Sequence, residues 1–139
     1  MGSLDQGTTS TRFIIFNELG EIVGQNQIEH NQILPQAGWV EHDAEEIWQN
    51  TQSVIQNALR SSGLNASDLA AIGITNQRET VVAWDRKTGK ALANAIVWQD
   101  TRTADYLNGF SDETKAKITA KTGTPIAPYF SASKMAWLL

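Results

Sequence analysis

The chain has 139 residues, 15 of them acidic and 11 Lys or Arg, for a formal charge of −4, with two His, five Trp and no Cys. The 41% apolar and 19% charged fractions are those of a globular chain, and this length buries a core without staples. The missing cysteines exclude a disulfide framework, a zinc–thiolate site and a thiol nucleophile, and the acidic balance argues against nucleic-acid binding.

The longest apolar run is Met135–Leu139, far short of a membrane span. No basic-then-apolar leader opens the chain, and Gln6 stands where a myristoylation signal needs Ser or Thr. A soluble, cytoplasmic protein is the expectation.

In chain order, Asp5-Gln6-Gly7-Thr8-Thr9-Ser10 reads as a turn, followed by an apolar strand at Phe13–Phe16. Asn17-Glu18-Leu19-Gly20 turns the chain into a second strand carrying Ile22, Val23 and Ile28. Met1–Leu4 is too short and too polar to supply a strand ahead of Asp5, so a first strand is expected to be truncated or replaced. Asp43, with Glu46 three residues on, predicts a capped helix whose apolar positions run from Ile47 to Leu59 and which stops at Gly63.

Leu69–Ile74 is a continuous apolar run, as in a strand covered on both faces. Thr80–Trp84 and Ala91–Val97 predict a hairpin around Asp85–Gly89. Asp100 is a candidate cap for a helix through Tyr106, and Ser111 for another through Lys121. Gly123, Pro125 and Pro128 then break the chain before a last apolar helix, which Ser131 starts and which reaches Leu139 without a cap.

Three places could carry chemistry. In the first turn, Gly7 permits tight backbone, while Thr8, Thr9 and Ser10 offer hydroxyls and amides to an anion. Asp5 could hold Mg2+, and Arg12 adds a cation, a set suited to a nucleotide triphosphate. The same residue types also make an ordinary hairpin turn. At the end of the Leu69–Ile74 run, Arg78 can donate a fork of hydrogen bonds and Glu79 can accept from a hydroxyl, which suits a polyhydroxylated substrate or a surface ion pair. Trp98 and Tyr129 could pack on a polyol or simply belong to the core. His30 and His42 are isolated in sequence and read as surface or structural residues, and no P-loop is present.

Four blocks together are diagnostic: Asp5–Ser10, Gly38–Asp43, Ile72–Thr80 and Asn94–Asp100. In content and order they resemble the FGGY carbohydrate kinase family. The Trp39–Asp43 and Asn76–Thr80 blocks favour its glycerol-kinase branch over its sugar kinases, with another polyol or sugar kinase, or a non-catalytic binding module, as the alternatives. The resemblance implies an α/β fold of the ribonuclease H-like, actin-like class, with a mixed sheet and flanking helices. Residues 1–139 would be a partial amino-terminal domain.

It also implies ATP-dependent phosphorylation of glycerol to glycerol 3-phosphate. Thr8, Thr9 and Ser10 would lie at the phosphates, Arg12 near the nucleotide and Asp5 beside Mg2+. Arg78, Glu79 and Tyr129 would hydrogen-bond the glycerol hydroxyls, and Trp98 would pack on its carbons. The general-base aspartate and the adenine-holding second domain are expected beyond Leu139, so these residues alone should be inactive. Ala127-Pro128 and Ser131-Ala132-Ser133-Lys134 depart from the family's usual Asp-Pro and Ser-Gly-Thr-Lys. The apolar Met135–Leu139 end suggests association into a homo-oligomer.

Overall fold

The computed structural model describes residues 1–139. They form two compact units, Met1–Gln32 with His42–Gln77, and Ile33–Glu41 with Arg78–Leu139. The strands in chain order are β1 Gly2–Gln6, β2 Ser10–Phe16, β3 Ile22–Glu29, β4 Glu41–His42, β5 Ile72–Thr75 and β6 Ala95–Ile96. The helices are α1 Ala44–Ser62, α2 Ala104–Asn108, α3 Asp112–Thr122 and α4 Ser131–Leu138.

The first unit is a four-stranded mixed sheet in the order β3-β2-β1-β5. β1 runs antiparallel to β2, with Asp5 opposite Arg12, and parallel to β5, with Asp5 opposite Thr75. This corrects the expectation that nothing strand-like precedes Asp5. The strand escapes notice because its bulk comes from a neighbour. A Cβ at Gly2 would meet the Phe13 ring at 2.4 Å, so the aromatic fills the space that a side chain on β1 would otherwise take. Leu4 then suffices as its one large apolar contribution to the core.

Asp43 caps α1 as the sequence predicts, accepting from the Glu45 and Glu46 amides, and Gly63 ends it at φ 68°. The reciprocal half of the capping box does not form. Glu46 turns its carboxylate to the backbone and side-chain amides of Asn31 instead. Val54 and Ala58 of α1 close the core over Leu4, Phe13 and Ile15. At Gly24 a Cβ would stand 2.9 Å from the Ala58 carbonyl oxygen, so the helix lies directly on β3.

α1 packs over β2 and β3 and leaves β5 uncovered. All four residues of β5 are exposed, Ile74 to 71%. The reading of a strand buried on both faces is therefore not met in these residues. β5 is the sheet edge, and its apolar run marks surface that no element of the unit covers.

The second unit is less regular. Only the bridges Val81–Ile96 and Trp84–Ala91 form where a full hairpin was expected. The turn between them is held by Asp85, which accepts from the Lys87 and Thr88 amides. Ala95, Ile96 and Val97 are buried. Asp100 does not cap a helix, and α2 begins four residues later. Ser111 does cap α3, accepting from the Thr114 amide, and Gly123 ends it at φ 72°.

Candidate functional site

In the first unit, the Gly7–Ser10 turn links β1 to β2. The Gly7 amide donates to the Ser10 carbonyl at 3.0 Å. A Cβ at Gly7 would press on that same oxygen at 3.1 Å, which is the local reason for a glycine. Thr9 is exposed, whereas Ser10 is buried and its hydroxyl accepts from Gln27 at 3.0 Å. Asp5 and Arg12, opposite each other across the ladder, project from one face of the sheet. They form no ion pair, and the Arg12 Nε is buried without a hydrogen-bond partner. An unpaired buried donor of this kind is rare in folded proteins and suits a site awaiting an anion.

No cluster of three or more acidic or His side chains that could hold a metal exists in the chain. A single half-buried carboxylate, Asp5, still fits Mg2+, which commonly takes one or two protein carboxylates and completes its shell with water and substrate phosphates.

Beneath this turn lie the two histidines, and they are neither isolated nor on the surface. His42 is fully buried and His30 nearly so, with their rings edge to face at 4.7 Å. Burial, and then the neighbouring His30, lower the His42 pKa to about 4. His42 is therefore neutral at physiological pH.

In the second unit, Arg78 is exposed and Glu79 is half-buried. Glu79 is the one residue besides glycine with positive φ, at 61°. Its Oε2 accepts from the Ser131 hydroxyl at 2.7 Å and the Ser131 amide at 2.8 Å. Those two bonds hold its carboxyl below the ordinary value, with Lys134 and Arg78 adding to the effect. Trp98 and Tyr129 meet edge to face at 5.5 Å, and Tyr129 meets Phe130 at 5.1 Å. The unit thus brings together an acceptor, Glu79, with an aromatic corner, Trp98–Tyr129, while Arg78 remains a solvent-facing donor.

Residues that sequence reasoning passed over hold this arrangement. Lys134 has no exposed surface, and its Nζ donates to the carbonyls of Pro128 at 2.8 Å and Tyr129 at 2.6 Å. Burial pushes its pKa down, against the opposing pull of Asp100 and Glu79. A lysine in the middle of an apolar helix was the available signal.

Asp100 accepts from the Val40 amide at 2.7 Å and pairs with Arg102, which also reaches Glu41 at 2.7 Å. The Arg102 guanidinium stacks over Trp39 at 3.7 Å and Trp137 at 4.7 Å. Burial would raise the Asp100 pKa, but the bonds from Arg102 and Val40 outweigh it and leave it lowered. Glu41 therefore belongs to this network, although it lies just ahead of the Asp43 cap in sequence. A separate apolar pocket lined by Tyr106, Phe110, Ile118, Ile126 and Phe130 touches none of the predicted site residues.

The chain superposes on a ligand-bound xylulose kinase from Lactobacillus acidophilus with a TM-score of 0.87, covering 99% of this chain and 27% of that one at 23% identity. This is the amino-terminal part of the actin-like, ribonuclease H-like α/β fold. The family then follows: residues 1–139 match the N-terminal domain of the FGGY family of carbohydrate kinases, and the chain belongs to that family.

Among curated relatives, the glycerol kinases of Brucella anthropi and Methylorubrum extorquens are 57% and 58% identical over 140 residues, all of this chain and 28% of theirs. The crystal structure of Plasmodium falciparum glycerol kinase with ADP matches with a TM-score of 0.90 at 42% identity, over 99% of this chain and 28% of that one. The chain thus spans a little over a quarter of the length of the relatives it matches. No helix is long and apolar enough to cross a membrane.

Proposed function

We propose that these residues form the amino-terminal part of an ATP-dependent glycerol kinase, which converts glycerol to glycerol 3-phosphate. The observation that carries this reading is the 57–58% identity to glycerol kinases along the whole chain, against 21–26% to the xylulose and gluconate kinases of the same fold. Thr8, Thr9 and Ser10 contact the nucleotide phosphates, and Arg12 stands near them with its free Nε. Asp5 holds Mg2+, which neutralises charge on the phosphates when bound. Arg78, Glu79 and Tyr129 hydrogen-bond glycerol, and Trp98 packs on its carbons.

A carboxylate kept ionised by Ser131 is suited to accepting from a hydroxyl. None of these residues is assigned as the general base, so the 139 residues alone are expected to show no turnover. The enzyme is cytoplasmic, and the 139-residue chain self-associates into a homo-oligomer through its exposed Met135, Trp137 and Leu139.

The test joins this chain to the remaining sequence of the Brucella anthropi glycerol kinase in place of its own first 28%. Glycerol-dependent ATP consumption is expected, and Glu79→Ala should abolish most of it. A folded chimera that prefers a pentulose or gluconate over glycerol would overturn the assignment. So would turnover by the isolated 139 residues at the rate of the chimera.

A further inference from the structure

The carbonyl groups of the Gly7–Ser10 turn are held from below by side chains that the proposed reaction does not use. The Thr8 carbonyl accepts from His30 Nε2 at 2.9 Å and from Gln32 Nε2 at 3.1 Å. Gln32 Oε1 in turn accepts from His42 Nε2 at 2.8 Å, and Gln77 Nε2 approaches His42 Nδ1 at 3.5 Å. The Thr8 carbonyl can only accept, so Gln32 turns its amide nitrogen to it, and the Oε1 that then faces His42 requires a proton on His42 Nε2. The next carbonyl, Thr9, accepts from the His30 backbone amide at 3.1 Å.

A peptide group is planar and trans, so its N–H points opposite to its C=O. Two donors on the Thr8 carbonyl therefore set the direction of the Thr9 N–H, which makes no hydrogen bond within the chain although Thr9 is exposed. A free amide fixed outward on a tight turn is an anion donor that needs no reorganisation when the ligand arrives.

We propose that His42, Gln32 and His30 are positioning residues that lock the Thr8–Thr9 peptide with its N–H toward a bound nucleotide phosphate. The proposal rests on the phosphate side of the function above and needs neither glycerol nor phosphoryl transfer.

The test follows the Thr9 amide resonance of the 139-residue chain by NMR while inorganic tripolyphosphate is added. In the unaltered chain the Thr9 signal should shift, and the nitrogen shifts of His42 should report the Nε2-protonated form. Gln32 is solvent-exposed, so Gln32→Leu should fold. It should weaken tripolyphosphate binding on the order of tenfold, the worth of one well-placed charge-assisted hydrogen bond. His42→Phe should do the same, and His42→Gln, which keeps a donor at a similar reach, should restore most of the loss. Equal binding by Gln32→Leu, an unmoved Thr9 signal, or an Nδ1-protonated His42 would each overturn the proposal. An inactive chimera would instead count against the kinase assignment and leave this titration readable.

Discussion

Glu79 shows how a single position can serve chemistry at the expense of conformation. Its φ of 61° is one that glycine adopts freely and that costs a glutamate on the order of 1 kcal/mol. Ser131 holds it there through both its amide and its hydroxyl. Legibility at this scale was mixed. Arg78 and Glu79 stood out because polar groups after an apolar strand are conspicuous, but nothing in the sequence announced the bond to Ser131, 52 positions away.

The structural reading of the two histidines holds, but their pairing went unseen for a related reason. His30 and His42 are separated by a loop, and only the sheet and the cap of α1 bring their rings together. The consequence is measurable. With a pKa near 4 in the folded chain against an ordinary 6.5, His42 takes up a proton more readily when unfolded. Stability should therefore be undiminished above pH 6.5 and should fall by about 2–3 kcal/mol as pH drops through that window toward 4. Urea melts at pH 7.5 and 4.5 should show this loss, and it should shrink in His42→Gln. Glu46, the acidic neighbour, opposes the shift only weakly. An identical pH response in the variant would mean that His42 is not its source.

Among the elements, α1 is the one that sequence alone specified end to end. Its Asp43 cap, terminal glycine and most of its apolar stripe are local signals that occur where the pattern put them, Trp48 being the exposed exception. Asp43→Ala should cost about 1 kcal/mol, because two amides lose their acceptor. A shift of the urea midpoint at unchanged slope is the measurement, and an unmoved midpoint would show that water replaces the carboxylate without loss. β1 was illegible for the opposite reason. Its place at the centre of the sheet depends on Phe13 reaching over Gly2, a long-range complementarity that leaves no periodic trace in five residues. The Ala91–Val97 region shows the same limit, since two runs flanking a polar turn suggested a hairpin where two isolated bridges suffice.

At the scale of the whole molecule, the fold class was legible because four blocks of motif occur in a fixed order, which no single helix or strand conveys. The spatial relation of side chains within each block was not. Exposed apolar surface dominates behaviour at this level. β5 offers Ile72 at 49% and Ile74 at 71% exposure along an unpaired edge, and α4 leaves Met135 half-exposed. The 139-residue chain should sediment as more than a monomer at micromolar concentration. Ile74→Lys should shift it toward the monomer if the edge is responsible, and no shift would move attention to α4.

That open edge also has a meaning in time. In a relative for which this stretch is about 28% of the length, β1, β2, β3 and β5 leave the ribosome first. At roughly 5–20 residues per second, synthesis of the remainder takes tens of seconds. Early in that interval a nascent sheet with a bare isoleucine-bearing strand would be exposed to its neighbours on the same polysome. That period would be hazardous for the chain, and a holding chaperone would find an apolar handle at Ile72 and Ile74.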